Sequence, residues 1–117
     1  MLPDPAHRDF GYLWDMRAYA QEAMGFVQGM TEEEYQHDIK TQRAAERSIE
    51  IVGEAASKVS QGFREKHPQI AWGEISGLRN RLAHDYSGIR ADIIWDITQH
   101  DLRALVMQLN RVLGEEA

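Results

Sequence analysis

The sequence contains no cysteine, and this absence excludes several classes of chemistry at once. Without a thiol there is no disulfide framework, no cysteine nucleophile and no cysteine-ligated zinc. Proline is also scarce, because its three copies stand at positions 3, 5 and 68. Nothing therefore interrupts a helix over most of the chain.

Long hydrophobic runs are missing too. The apolar runs extend over only a few residues, as in 93–95, which is too short to cross a bilayer. The first residues lack the basic and apolar regions of a secretory signal. We therefore expect a cytoplasmic protein.

Basic residues are outnumbered, with 13 Lys and Arg against 19 Asp and Glu, and the formal net charge is −6. Proteins that coat nucleic acid nonspecifically are usually basic, so any contact of this acidic chain with RNA or DNA has to be local. A basic protein partner would also suit this surface. With 117 residues, of which 43% are hydrophobic, the chain is expected to fold as a single domain over 1–117.

The hydrophobic residues recur at three- and four-residue spacing, and no alternating strand pattern of useful length is found. This pattern predicts an all-α fold, an antiparallel bundle of four to five helices. The first helix is expected to begin near Pro5, with Asp4 as its cap, and to end at Gly29. The other predicted helices cover 32–37, 38–60, a segment from about 71 to 87, and 91–113, with a connector at 63–68.

Polar side chains that could take part in catalysis are concentrated in residues 78–86. On a helix at roughly 100° per residue, Asn80 and His84 share a face that points away from the apolar stripe. Arg79 lies at the edge of that stripe, from where its long side chain can bend towards the helix end. The stripe itself consists of Ile75, Leu78 and Leu82.

An imidazole and a guanidinium are a sufficient set for cutting RNA. Imidazole titrates near neutral pH and serves as general acid or base. A guanidinium holds a phosphate and stabilises charge that develops on it. RNA supplies its own nucleophile, the 2′-hydroxyl, so no metal is required. At this point two interpretations stay open: a catalytic site, or a solvated helix end.

The segment Arg79-Asn80, three residues, His84-Asp85-Tyr86 resembles the Arg-X4-His-X-Tyr motif of HEPN-domain proteins. Within that family it is similar to the HepT-like toxins that are paired with minimal nucleotidyltransferase antitoxins. The flanking segments 45–56 and 68–72, together with Trp95, resemble the family as well, so the similarity covers roughly residues 8–112.

The resemblance implies a metal-independent endoribonuclease that acts on single-stranded RNA. It makes His84 the acid and base, Arg79 the ligand of the scissile phosphate and Asn80 a positioning residue. Tyr86 is similar to the tyrosine that the partner nucleotidyltransferase adenylylates to silence such toxins. HEPN ribonucleases act as homodimers with composite sites, and no cofactor is implied.

A second interpretation of the same pairing is a non-catalytic binding subunit that neutralises a toxic nucleotidyltransferase. A third, a plain dimerisation module, is disfavoured by the intact pair of Arg79 and His84. No histidine spacing suits a metal, and no metal site is predicted. Nucleotidyltransferase motifs are missing as well. The three tryptophans are expected in the core or an interface, and Glu54 is expected to be solvated.

Overall fold

The computed structural model describes residues 5–83 and 91–116, and its regular structure is entirely helical, as the sequence predicts. Eight α-helices and one π-helical segment occur in these ranges. They are α1 (Pro5–Phe26), α2 (Glu32–Gln36), α3 (Ile39–Lys58), α4 (Gln61–Lys66), α5 (Trp72–Ser76), α6 (Leu78–Ala83), α7 (Ala91–Asp96), the π-segment (Ile97–Asp101) and α8 (Leu102–Glu116). Across them, no helix is long and apolar enough to cross a membrane.

The long helices pack as an antiparallel bundle in which α1 lies between α3 and α8, while α3 also contacts α5 and α6. The Ser48 hydroxyl donates to Glu22 at 3.1 Å across the α1–α3 contact. The Arg17 guanidinium donates to Asn110 at 2.8 Å across the α1–α8 contact. Arg17 therefore faces the edge of α8, while its neighbour Met16 belongs to the core at 0% exposure.

Side-chain caps fix where the helices begin. Thr31 and Glu34 form a capping box at the beginning of α2, with distances of 3.1 Å and 2.8 Å between each side-chain oxygen and the other residue's amide nitrogen. Asp38 caps α3 by accepting from the Thr41 amide and hydroxyl at 3.0 and 2.7 Å. These two hydrogen bonds stabilise the carboxylate and lower the pKa of Asp38. The predicted cap Asp4 lies outside the described residues.

Three local predictions are wrong. The predicted connector at 63–68 begins inside a helix, α4, because Ser60 caps it through a 3.3 Å bond from the Phe63 amide. The predicted fourth helix is divided into α5 and α6 at Gly77. The predicted last helix contains the π-segment. The predicted end of the fourth helix, at about residue 87, lies outside the described residues.

The π-segment widens the last helix in the middle of the bundle. Ile97 and Thr98 are buried in it, and the Thr98 hydroxyl donates to the Trp95 carbonyl at 2.6 Å. A π-turn carries one residue more than an α-turn between hydrogen-bonded groups, and such turns often mark functional sites. The wider turn brings this part of the chain against α1, which it contacts.

Candidate active site

Backbone hydrogen bonds run through the junction between α5 and the motif helix α6. The Gly77 amide donates to the Gly73 carbonyl at 3.0 Å, and the Arg81 amide donates to the Gly77 carbonyl at 3.1 Å. A Cβ atom on Gly77 would lie 3.0 Å from the Gly73 carbonyl oxygen. With any other residue at this junction, the Gly73 carbonyl would have to move by a few tenths of an ångström, so the close backbone packing favours glycine here.

The beginning of α5 is held by aromatic packing. The Trp72 indole donates to the His67 carbonyl at 2.9 Å, and its ring meets Phe63 of α4 edge-on at 6.2 Å. Phe63 in turn meets Phe10 of α1 at 6.1 Å. This chain of rings fixes α5, and through it α6, relative to the first helix.

The predicted inner face of the motif helix is present. Ile75, Leu78 and Leu82 are buried at 6%, 1% and 6% exposure. Asn80 is exposed, which agrees with its predicted place on the outer face. Small residues of α3, Gly53 and Ala56, are buried in the bundle that α6 joins, and α3 contacts α6. The polar face of α6 is therefore directed away from the core.

The motif itself is only partly described. Arg79 belongs to α6, but its side chain lies outside the described part of the molecule. His84 and Tyr86 lie outside the described residues altogether. The structure thus positions the beginning of the motif, and the assembly of Arg79, Asn80 and His84 into one site stays a prediction.

One ion pair joins α6 to the π-segment. Arg81 Nη1 lies 3.5 Å from Asp101 Oδ2, with both side chains well exposed. Exposed pairs contribute only about 0–1 kcal/mol, so its importance is geometric rather than energetic. It shows that the helix carrying the motif lies beside the widened turn of the last helix.

A buried carboxylate on α3 was missed in the sequence. Glu46 is 9% exposed and bonds to Arg43 Nη1 at 3.0 and 3.1 Å. Burial raises the pKa of Glu46, and the nearby Arg43 guanidinium offsets part of that rise. The sequence could have indicated this burial, because Gln42, Glu46 and Ile49 follow one another at helical spacing along one side of α3.

Tyr35 lies beside this carboxylate with its hydroxyl buried and without a hydrogen-bond partner among the described residues. Burial, and then the negative charge of Glu46, raise the pKa of Tyr35 well above its usual range. Its ring lies 5.6 Å from that of Trp95 in α7, the first helix after the motif. The carboxyl of Glu46 and the phenol of Tyr35 therefore lie where α3 meets α7, the helix that follows residues 84–90.

The tryptophans occupy three different environments. Trp72 is buried, and Trp95 is partly buried against the core, as expected for core residues. Trp14 is 51% exposed and is covered on one face by the Arg17 guanidinium at 4.2 Å. Glu54, expected to be solvated, is half-buried. In the parts of the chain that the structure describes, no group of three or more potential metal ligands occurs.

Comparison with known proteins gives consistent matches. Residues 16–112 match a family model described as ribonuclease HepT-like. A protein of Methanocaldococcus jannaschii, named provisionally as an RNase, is 34% identical over 109 residues, which cover 90% of each chain. A similarly named protein of Caldanaerobacter subterraneus is 38% identical over 90 residues, covering 77% of this chain and 80% of the relative.

A probable ribonuclease HepT of Thermococcus cleftensis is 32% identical over 100 residues, covering 86% of this chain and 89% of the relative. No solved structure is significantly similar to the chain. All three relatives are matched over most of their length, so the similarity concerns the whole helical unit and not a short motif.

Proposed function

The chain belongs to the HepT-like ribonuclease family, and from this premise we propose that it is a metal-independent endoribonuclease acting on single-stranded RNA. Membership agrees with the HepT-like resemblance of the sequence. The observation that carries the proposal is the extent of the family match, since residues 16–112 include α6 and every position of the motif at 79–86.

The proposed reaction uses the RNA's own nucleophile. The 2′-oxygen attacks the adjacent phosphorus, the bond from phosphorus to the 5′-oxygen breaks, and a 2′,3′-cyclic phosphate and a 5′-hydroxyl result. His84 takes the proton of the 2′-hydroxyl and returns one to the leaving oxygen. Arg79 binds the phosphate and stabilises its developing charge, and Asn80 positions the two.

Cleavage in the presence of EDTA tests this proposal. Purified protein should cut unstructured RNA and leave 2′,3′-cyclic ends, while a strand with 2′-deoxyribose at every position stays intact. His84→Ala and Arg79→Ala should each reduce the rate by at least about 100-fold, the first through the loss of the general acid and base and the second through the loss of charge stabilisation on the phosphate. Arg111→Ala, an exposed arginine on α8, is the matched control and should cut normally.

Loss of activity on chelation would contradict metal independence, and a normal rate in either motif variant would contradict the site assignment. Both variants should keep the helical content and melting temperature of the unmodified protein, because His84 and Arg79 are assigned to chemistry and not to the core.

The proposed partner is a minimal nucleotidyltransferase that silences the ribonuclease by adenylylating Tyr86. An added phosphate near His84 would repel the RNA backbone and attract Arg79 in its place. After co-expression, mass spectrometry should find AMP on the peptide containing Tyr86. Tyr35 is fully buried and serves as an internal control, and AMP on Tyr12 or Tyr19 alone would contradict the assignment.

Growth assays separate the toxin from its alternative. Expression of this chain alone should slow growth, and co-expression with the nucleotidyltransferase should restore it. If the nucleotidyltransferase alone is toxic and this chain relieves that toxicity, the chain is the neutralising subunit. The proposed toxin acts on cytoplasmic RNA.

A further inference from the structure

A cavity of about 430 Å³ lies at the end of the bundle where α1 stops. Its walls come from the last turns of α1, the following turn at Gly29, the π-segment and the beginning of α8. The volume falls within the roughly 300–1,000 Å³ of ligand sites. A second cavity, beside Arg8 and Lys58, is only about 190 Å³.

The chemistry of the walls is unusual for an acidic protein. The cavity is lined by three amide side chains, two thioethers and a guanidinium: Gln21, Gln28, Gln99, Met24, Met30 and Arg103. No carboxylate lines it, although the chain carries 19 Asp and Glu. Amides present a donor and an acceptor side by side, which suits the edge of a nucleobase, and Arg103 suits a phosphate.

The π-segment connects this cavity to the motif helix. Thr98 and Gln99 line the cavity, and the Gln99 amide donates to the Thr98 hydroxyl at 3.3 Å. Two residues later, Asp101 pairs with Arg81 of α6 at 3.5 Å. The cavity and the motif helix thus both contact the same five-residue segment, Ile97–Asp101.

We propose that this cavity binds an unpaired base of the RNA substrate, on a nucleotide outside those held at the motif, with Arg103 contacting the backbone phosphate. The proposal rests on the ribonuclease function proposed above and adds a substrate contact to it. Single-stranded RNA is recognised by splayed-out bases whose edges are hydrogen-bonded by side chains and whose faces are packed against them. Met24 and Met30 provide such apolar walls.

Methionine methyl NMR tests the cavity without relying on cleavage. The probe is a 2′-O-methyl oligonucleotide of mixed sequence, which has no free 2′-hydroxyl and cannot be cut by the proposed reaction. Its addition should shift the methyl signals of Met24 and Met30. Those of buried Met16 and exposed Met107 are controls, since neither lines the cavity. If Met24 and Met30 do not move, whether or not the probe binds elsewhere, the proposal is overturned.

A matched pair of glycine substitutions gives the kinetic test. Gly25 lines the cavity and Gly11 lies on the same helix away from it, and a Cβ on either meets nothing within 4 Å. Gly25→Phe should raise KM for RNA by about tenfold, since it would remove the base contact, and leave kcat within about twofold. Gly11→Phe should change neither. An unchanged KM in Gly25→Phe contradicts the proposal.

The two proposals fail in different ways. If the protein does not cut RNA, the ribonuclease proposal fails, yet the methyl shifts still decide whether the cavity binds the strand. If it cuts RNA and the two methionines stay unshifted, the ribonuclease proposal stands and the cavity is not a base site. If a peptide shifts Met24 and Met30 and the oligonucleotide does not, the cavity is a protein-binding site.

Discussion

Glu46 is a single residue whose environment conflicts with its charge. It is an acid in the buried part of α3, with a partly exposed arginine as its hydrogen-bond partner. Removing a carboxylate from water disfavours its charged form, which is why the pKa of Glu46 is raised. The folded state therefore holds this proton more tightly than the unfolded chain does.

The stability of the protein should depend on pH through this residue. Because the folded pKa of Glu46 lies above the unfolded value, its contribution falls as pH rises through the folded pKa. Glu46→Gln should therefore have a higher melting temperature than the unmodified protein at pH 7, and the difference between the two melting temperatures should become smaller towards pH 4. Melting curves across this range measure the effect.

Glu50→Gln is the control, since Glu50 lies one turn further along α3, with its side chain 38% exposed and paired with Arg47. The difference in melting temperature between Glu50→Gln and the unmodified protein should not become smaller towards pH 4. A gap for Glu46→Gln that widens towards acid would contradict the assigned direction of the pKa. The exposed partner Arg43 adds little to this balance.

Single residues also show how far the sequence could be interpreted. The burial of Leu78 and Leu82 and the exposure of Asn80 were predictable, because helical periodicity alone decides them. The cluster of Glu46 and Tyr35 was not, since it depends on α2 and α3 meeting α7. Burial of a polar residue is a property of the packed bundle, and its own segment carries only a weak signal of it.

The short helix α4 is held in place by Asp9, which lies near the beginning of α1. The Asp9 carboxylate accepts from the Ser60 amide at 2.8 Å and from the Ser60 hydroxyl at 2.6 Å, and Asp9 is 4% exposed. Ser60 in turn caps α4. The six residues of α4 have no apolar stripe of their own, so a partner distant in sequence decides that they are helical.

Removing this carboxylate should loosen α4. Asp9→Ala leaves the Ser60 amide without its acceptor and should lower the free energy of unfolding by about 2 kcal/mol, as expected for hydrogen bonds to a charged group. Urea unfolding measures the loss. Asp15→Ala, an exposed carboxylate on the same helix, should stay within about 0.5 kcal/mol of the unmodified protein. Equal losses in both variants would contradict the special role of Asp9.

Predictability at this scale follows the length of the element. The long helices α1 and α3 were predicted well, because hydrophobic periodicity is a local signal. The break at Gly77 and the π-segment were not. Both depend on how closely neighbouring backbones approach, and a glycine or a threonine inside a helical pattern does not report that distance.

At the scale of the whole molecule, the proposed working unit is a two-fold homodimer with its motif helices facing each other. The chain carries a net charge of −6, so one copy offers little attraction for RNA. Two copies would bring both Arg79 and both His84 side chains into a shared cleft. Isologous dimers of this kind are the commonest assembly. The positive charge of the two arginines in the cleft would attract RNA locally, although the net charge of the protein is negative.

Mixing two inactive variants tests the shared cleft. Arg79→Ala and His84→Ala, combined and allowed to exchange subunits, should regain activity, because a heterodimer unites His84 of one copy with Arg79 of the other. Each variant alone should stay inactive. Light scattering should give about twice the 13.4 kDa of one chain. A monomeric, fully active protein, or a mixture that stays inactive while it exchanges, would contradict the composite site.

The hydrogen bond between Arg17 and Asn110 joins positions 93 apart in the chain, and this has a consequence for synthesis on the ribosome. The first helix emerges early and can pack on α3, but its other neighbour, α8, follows all the other described helices in the chain. The Arg81–Asp101 pair beside the motif likewise waits for the final helix. A nascent chain therefore carries residues 79–86 before α8, which packs on α1, has been made.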